Sequence, residues 1–144
     1  MSATVGLQIG KAIFDILKNS NNVTSVSGMS TSVIQPAPLL RNANTDAAVI
    51  YEISSVNPVN VKRQFRVETA PLYNVSITIE CLHKVYHDSI ILADNVSQAL
   101  QTADASPYNN VKVDGFNLTS MQESYDKARR YYSKLLTFDA RVLL

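Results

Sequence analysis

The stretch Asn74–Cys81 constrains this chain more than any other, because Val75, Ile77, Ile79 and Cys81 alternate with Asn74, Ser76, Thr78 and Glu80. A period of two puts every apolar side chain on one face of a pleated strand and every polar one on the other. Such a strand is half-buried, with one face against helices and the other toward solvent or a subunit. A chain that contains it must also supply partner strands and an apolar layer to cover one side of the sheet.

The rest of the sequence offers both. Residues 5–18 carry Val5, Ile9, Ala12, Ile13, Ile16 and Leu17 at helical spacing, with Lys11, Asp15 and Lys18 between them and Phe14 off the main stripe. Asn19-Ser20-Asn21-Asn22 ends this run with side chains that compete for backbone hydrogen bonds. From Asn19 to Asp46 the pattern predicts mostly loop. Pro36 and Pro38 forbid a continuous ladder there, although Ser32–Gln35 suits a short strand. A loop of that length in a small domain is usually functional or ordered by a partner.

Val49, Tyr51 and Ile53 alternate with Ala48, Ile50 and Glu52 up to Asn57-Pro58, which predicts a second strand. Val59 to Glu68 follows, with Lys62, Arg63 and Arg66, and reads as an extended arm or a long hairpin tip. A second helix is expected over 88–102 from Leu92, Val96, Ala99 and Leu100, with Asp88 suiting the dipole of its first turn. Val111, Val113, Phe116, Leu118 and Met121 predict a strand interrupted at Asp114-Gly115. Glu123–Arg130 reads as a charged turn, and the alternation from Tyr132 to Val142 as the last strand. Consecutive strands without βαβ alternation predict an α+β fold. It comprises about four antiparallel strands with two helices packed on one face, a long loop and an extended arm, in a single domain over 1–144.

Function classes are excluded chiefly by scarce residues. The chain has 144 residues, and 13 Lys+Arg against 12 Asp+Glu leave a net charge of +1, without the basic face of a protein that seeks nucleic acid on its own. One cysteine rules out an internal disulfide. The four glycines never form a phosphate-cradling motif. No apolar run spans a bilayer, and the amino terminus lacks the basic and apolar regions of a signal peptide, so maturation in a cytoplasm and no membrane partner are expected.

Cys81, His83 and His87 hold the right atoms for a metal, but three ligands straddling a strand end do not make a four-ligand zinc site. The expected placement is Cys81 in the core and both histidines on an exposed connection. His87-Asp88-Ser89 has the residue types of a triad, yet adjacent residues seldom aim at one another and no nucleophile elbow is present. The chain is therefore not expected to be an enzyme, nor to need a cofactor or metal. Two basic groups remain as candidate contacts to a phosphate backbone, including a nucleic-acid channel lined by many copies: Lys62, Arg63 and Arg66 in the arm, and Lys127, Arg129 and Arg130 before Tyr131 and Tyr132. Their simpler reading is as solvated charges that guard strand edges.

Four stretches together carry a resemblance: GKAIFDILKNSNNV; VIQPAPLL followed by AAVIYEIS; YNVSITIECLHKVYHDSIILADNVSQAL; and LTSMQESYDKARRYYSKLLTFDARV. In these the chain resembles the small tail-completion (tail-terminator) proteins of long-tailed bacteriophages. It departs from their pattern in lacking a proline directly before the strand at Ala47 and in the basic arm at Pro58–Glu68. The resemblance implies a structural virion protein at the head-to-tail junction, assembled in the host cytoplasm. Its partners would be further copies in a ring, most commonly a hexamer, the tail tube protein, a head-closure or connector protein, and transiently the genomic DNA in the lumen. The alternative is another neck or tail component, such as a head-closure adaptor or tube-like subunit. The resemblance brings no catalytic residues, and it implies that Lys62, Arg63, Arg66, Lys127, Arg129 and Arg130 are candidate subunit, tube or DNA-lumen contacts.

Overall fold

The computed structural model describes residues 2–29, 33–36, 46–58, 72–102, 107–108, 111–128 and 130–143. The chain runs α1 (Ser2–Lys18), α2 (Asn21–Thr24), β1 (Ile34–Pro36), β2 (Ala47–Pro58), β3 (Leu72–His83), α3 (Tyr86–Gln101), β4 (Pro107–Tyr108), β5 (Val111–Asp126) and β6 (Tyr131–Leu143). The sheet order is β1-β2-β3-β6-β5-β4, five strands extended by the two-residue β4. The alternating strand β3 lies between β2 and β6, antiparallel to both.

Register explains the core. Across the sheet, Tyr51, Ile79, Leu136 and Met121 form one row, and Ile53, Ile77, Phe138 and Leu118 the next. Val56, Val75, Ala140 and Phe116 continue it. Against this face pack Ile9, Ile13 and Leu17 of α1, Val23 of α2, and Leu92, Ala93, Val96 and Leu100 of α3, all in one cluster. Each buried Ile, Leu, Val or Phe side chain contributes about 1.5–3 kcal/mol. The helical layer is thus held by the same alternation that makes β3 a strand.

Bulges keep this face apolar along strands too long to stay in simple register. Pairing of β2 with β3 shifts between Ile53 and Ser55, so the core-facing set passes from Val49, Tyr51 and Ile53 to Val56. In β5 the ladder shifts between Val113 and Phe116, where Gly115 has φ 85, as the sequence predicts. A second shift lies at Leu118/Ser120, and there the Thr119 hydroxyl donates to the Thr137 carbonyl at 3.1 Å.

Several expectations are corrected. The sheet is mixed rather than antiparallel, because β1 pairs in parallel with Val49–Tyr51 of β2. Ile34 enters the core from this edge, and Pro36 ends the strand at a sheet margin, where its missing N–H costs little. Three helices cover the face instead of two. The extra one, α2, is a single turn in the expected loop, too short to show a period, and buries Val23. Helix α3 begins at Tyr86, two residues before the expected start.

The presumed turn Glu123–Arg130 is instead strand as far as Asp126. Its charges fit a strand because Glu123 pairs with Lys134 directly opposite. The actual turn closes on Asp126, whose side chain accepts the Ala128 N–H at 3.0 Å and whose carbonyl accepts the Arg130 N–H at 2.7 Å. The arm at 59–68 lies outside the described residues.

The opposite face of the sheet carries a small apolar cluster of Ala48, Ile50, Leu82 and Tyr131 at one end. Elsewhere it is polar: Ser54 and Thr78 share a hydrogen bond of 2.6 Å, and the Ser133 hydroxyl donates to Glu80 at 2.8 Å.

Candidate interaction surfaces

The residues with chemical potential are put to structural use. Cys81 is fully buried on the helix-covered face, as expected, and burial, followed by the nearby Glu80 charge, pushes its thiol pKa up. His83 shares that face but is buried, a correction to its expected exposure. Its Nε2 lies 2.7 Å from the Ser27 carbonyl, and its Nδ1 accepts the Val85 N–H at 3.0 Å. With Nε2 donating, both ring nitrogens are occupied, and the ring clamps the segment after α2 to the turn that starts α3. His87 is exposed, as expected.

The triad types do not converge. Ser89 is buried and its hydroxyl donates to the Tyr86 carbonyl at 2.6 Å, while Asp88 faces His83 at 3.8 Å. Among the described residues no three His, Cys, Asp or Glu side chains gather as a metal site. No described helix is long and apolar enough to cross a membrane.

Of the predicted basic groups, Lys127 and Arg130 are brought together on the exposed β5–β6 turn, with Arg130 at φ 61. Arg129, Lys62, Arg63 and Arg66 lie outside the described residues. Of the two tyrosines that follow, Tyr131 is buried beneath Lys84, whose Nζ is 5.9 Å from the ring. Tyr132 points to the other face and joins a cluster that the sequence does not announce.

That cluster forms where α3 begins over the outer part of the β5–β6 hairpin. Tyr132 packs edge-on against Tyr86 at 5.2 Å and tilted against Tyr125 at 4.7 Å. Lys134, almost fully buried, reaches from β6 to pair with Glu123 and lies 5.0 Å from the centre of the Tyr86 ring. The Tyr86 hydroxyl donates to Glu123 at 3.2 Å. The Lys134 hydrogen bond first, then that of Tyr86, holds the Glu123 carboxyl below the ordinary carboxylate value. Tyr86, Ile90, Met121 and Tyr125 remain exposed around it. Glu123 and Lys134 are far apart in sequence, so only the hairpin register could reveal the pair.

Two strand edges border this layer. Strand β4 pairs only with Val111 and Lys112, so among the described residues the outer edge of β5 from Phe116 to Tyr125 has no partner strand. On the other side β1 covers β2 only at Val49–Tyr51, and beyond Tyr51 the edge of β2 facing away from β3 likewise has no partner strand among the described residues. An open groove of about 640 Å³ crosses the polar face, lined by side chains such as Ser55, Asn74, Asn117, Asp139 and Arg141. It gathers no set of charges suited to one ligand.

No family model matches the chain, and no curated protein does. Among solved structures it is similar to a chain of the virion of a native gene transfer agent particle, with a TM-score of 0.75 and 13% identity. The superposition covers 99% of this chain and 100% of that one. At that identity what the two share is the fold.

Proposed function

We propose that this chain is a structural protein of a phage-like virion, and that within the particle it forms the tail-terminator ring at the head-to-tail junction. The observation that carries the reading is the full-length fold likeness to a gene transfer agent virion chain. Two features of the chain support it independently. Cys81, His83 and Ser89 are engaged in packing and hydrogen bonds, which suits a scaffold rather than an enzyme. The two strand edges that have no partner strand among the described residues lie on opposite sides of one sheet, the arrangement for heterologous, head-to-tail contacts that close into a ring.

In this role the ring, a hexamer, caps the tail tube, stops its polymerisation and offers the surface that a head-closure protein recognises. DNA passing through it meets backbone-directed charge only, consistent with a net charge of +1 per subunit. The ring assembles in the host cytoplasm and remains in the neck of the virion.

Electron microscopy of particles from a deletion strain tests the assignment. Overlong tails beside unjoined heads are expected. Normal-length tails with leaking heads would reassign the chain to a head-closure adaptor, and unaltered particles would refute a virion role.

A further inference from the structure

We propose that the outer edge of β5, with the shelf beside it, is the docking site for the arm of a second copy of this chain, Val61-Lys62-Arg63-Gln64-Phe65 lying along Met121–Tyr125. The inference rests on the ring reading above and names the contact that closes it.

The shelf is an unusual stretch of surface. Tyr86, Ile90, Met121 and Tyr125 are 43%, 37%, 47% and 47% exposed. Tyr86 meets Glu123 of β5, Ile90 lies one turn further along α3, and Met121 and Tyr125 flank Glu123 on the same face of β5. This places the four exposed apolar side chains beside a strand edge that has no partner strand among the described residues. Exposed apolar side chains collected along an unpaired edge mark a place where a strand adds: the backbone supplies hydrogen bonds and alternate side chains supply specificity. The edge offers little to repel an incoming strand, since Phe116–Asp126 contains neither lysine nor proline.

The occupant is identified by pattern and charge. On the helix-covered face β5 presents Met121, Glu123 and Tyr125, in the order apolar, acidic, apolar. The arm reads Val61, Arg63 and Phe65 at the same spacing of two, in the order apolar, basic, apolar. Laid side by side in either direction, the two triplets put Arg63 against Glu123 and an apolar residue against each of Met121 and Tyr125, the pairings that stabilise adjacent strands. Glu123 has surface to spare for a second cation, being 51% exposed beside Lys134. Helix α3 adds Asp88 and Asp94 and has no lysine or arginine, so Lys62 and Arg66 meet no opposing base on the helix.

Chain length requires that the arm come from another copy. Arg63 follows Pro58 by five residues, which confines its Cα to within about 18 Å of Pro58 at full extension. Pro58 pairs with Tyr73, whereas Glu123 stands opposite Lys134 and, through it, Cys81, eight residues further along β3. At the rise of a strand that distance is about 27 Å, before crossing two strands sideways. An arm cannot pair with its own β5 at this register.

Charge exchange in the full-length chain tests the contact, with ring formation measured by sedimentation and native mass. Arg63→Glu and Glu123→Lys are each expected to raise the concentration needed for rings at least tenfold, and the double exchange to recover most of it. Because Glu123→Lys also removes the partner of Lys134, a second measurement is independent of charge. A mixture of Arg63→Cys and Glu123→Cys chains, oxidised after assembly, is expected to give a disulfide-linked dimer that neither variant forms alone. Rings indifferent to Arg63→Glu, no recovery in the double exchange, or cross-linking of Glu123→Cys to another virion protein in place of the arm would each overturn this contact while leaving the ring intact. A wild-type chain that stays monomeric at every concentration and on purified tail tubes would overturn both.

Discussion

Replacing His83 with leucine tests whether the buried ring is a clamp rather than a latent chemical group. Leucine fills much of the same space but makes neither hydrogen bond, stranding the Ser27 carbonyl 2.7 Å from one nitrogen and the Val85 N–H 3.0 Å from the other. A lost hydrogen bond costs about 0.5–1.5 kcal/mol net, and a polar group left buried without a partner about 1–3 kcal/mol. Ser27 and Val85 are both exposed, so water can partly replace the ring at each group. The lower range therefore applies to both contacts, for a loss of about 1–3 kcal/mol. With a urea slope of about 2 kcal/mol/M, the unfolding midpoint should fall by about 0.5–1.5 M. Hydrogen exchange at the Val85 amide should accelerate more than at Ile77 in the middle of β3, because the loss is local to the start of α3. A midpoint within about 0.3 M of wild type, with Val85 exchange unchanged, would refute the clamp.

Other perturbations probe different parts of the fold. Phe138 is fully buried at the centre of the sheet, so Phe138→Ala should cost about 3–5 kcal/mol by thermal or urea unfolding. Gly28 and Gly115 both have positive φ, 84 and 85, but an added Cβ would meet Asp46 Cβ at 3.0 Å at Gly28 and nothing within 4 Å at Gly115. Gly115→Ala should therefore cost only the left-handed backbone penalty, about 1–2 kcal/mol, and Gly28→Ala measurably more; equal losses would refute the steric part of the argument. Glu123 has a depressed folded-state pKa, so its contribution should be fully present above the ordinary carboxylate value near about 4.3 and fade as pH falls through the lower folded value. Urea titrations across pH 3 to 7 should show wild type and Glu123→Gln converging at the acid end, and a constant difference would refute the linkage.

Legibility varied with the range of the interaction. The alternation of Val75, Ile77, Ile79 and Cys81 identified β3 and its buried face, because burial on one side of a strand is written into consecutive residues. The apolar stripes of α1 and α3 and the irregularity at Gly115 were legible for the same reason. Short elements were legible only in part: Ser32–Gln35 suited a short strand and β1 lies at Ile34–Pro36, but its parallel pairing was not foreseen. The single turn α2 was missed because it exists only where a neighbouring layer accepts Val23. The end of β5 was missed because its charges look like a turn until Lys134 stands opposite Glu123.

By itself, then, the sequence determined that this chain is an α+β domain with half-buried strands beneath amphipathic helices, and that it lacks motifs for phosphate, metal or nucleophile chemistry. Only the tertiary structure decided the strand order, the parallel edge at β1, the burial of His83 between two loops and the aromatic shelf beside β5. The physical reason is that periodicity records which side of an element avoids water. It does not record which distant element supplies the cover, nor which edge is left open for another chain.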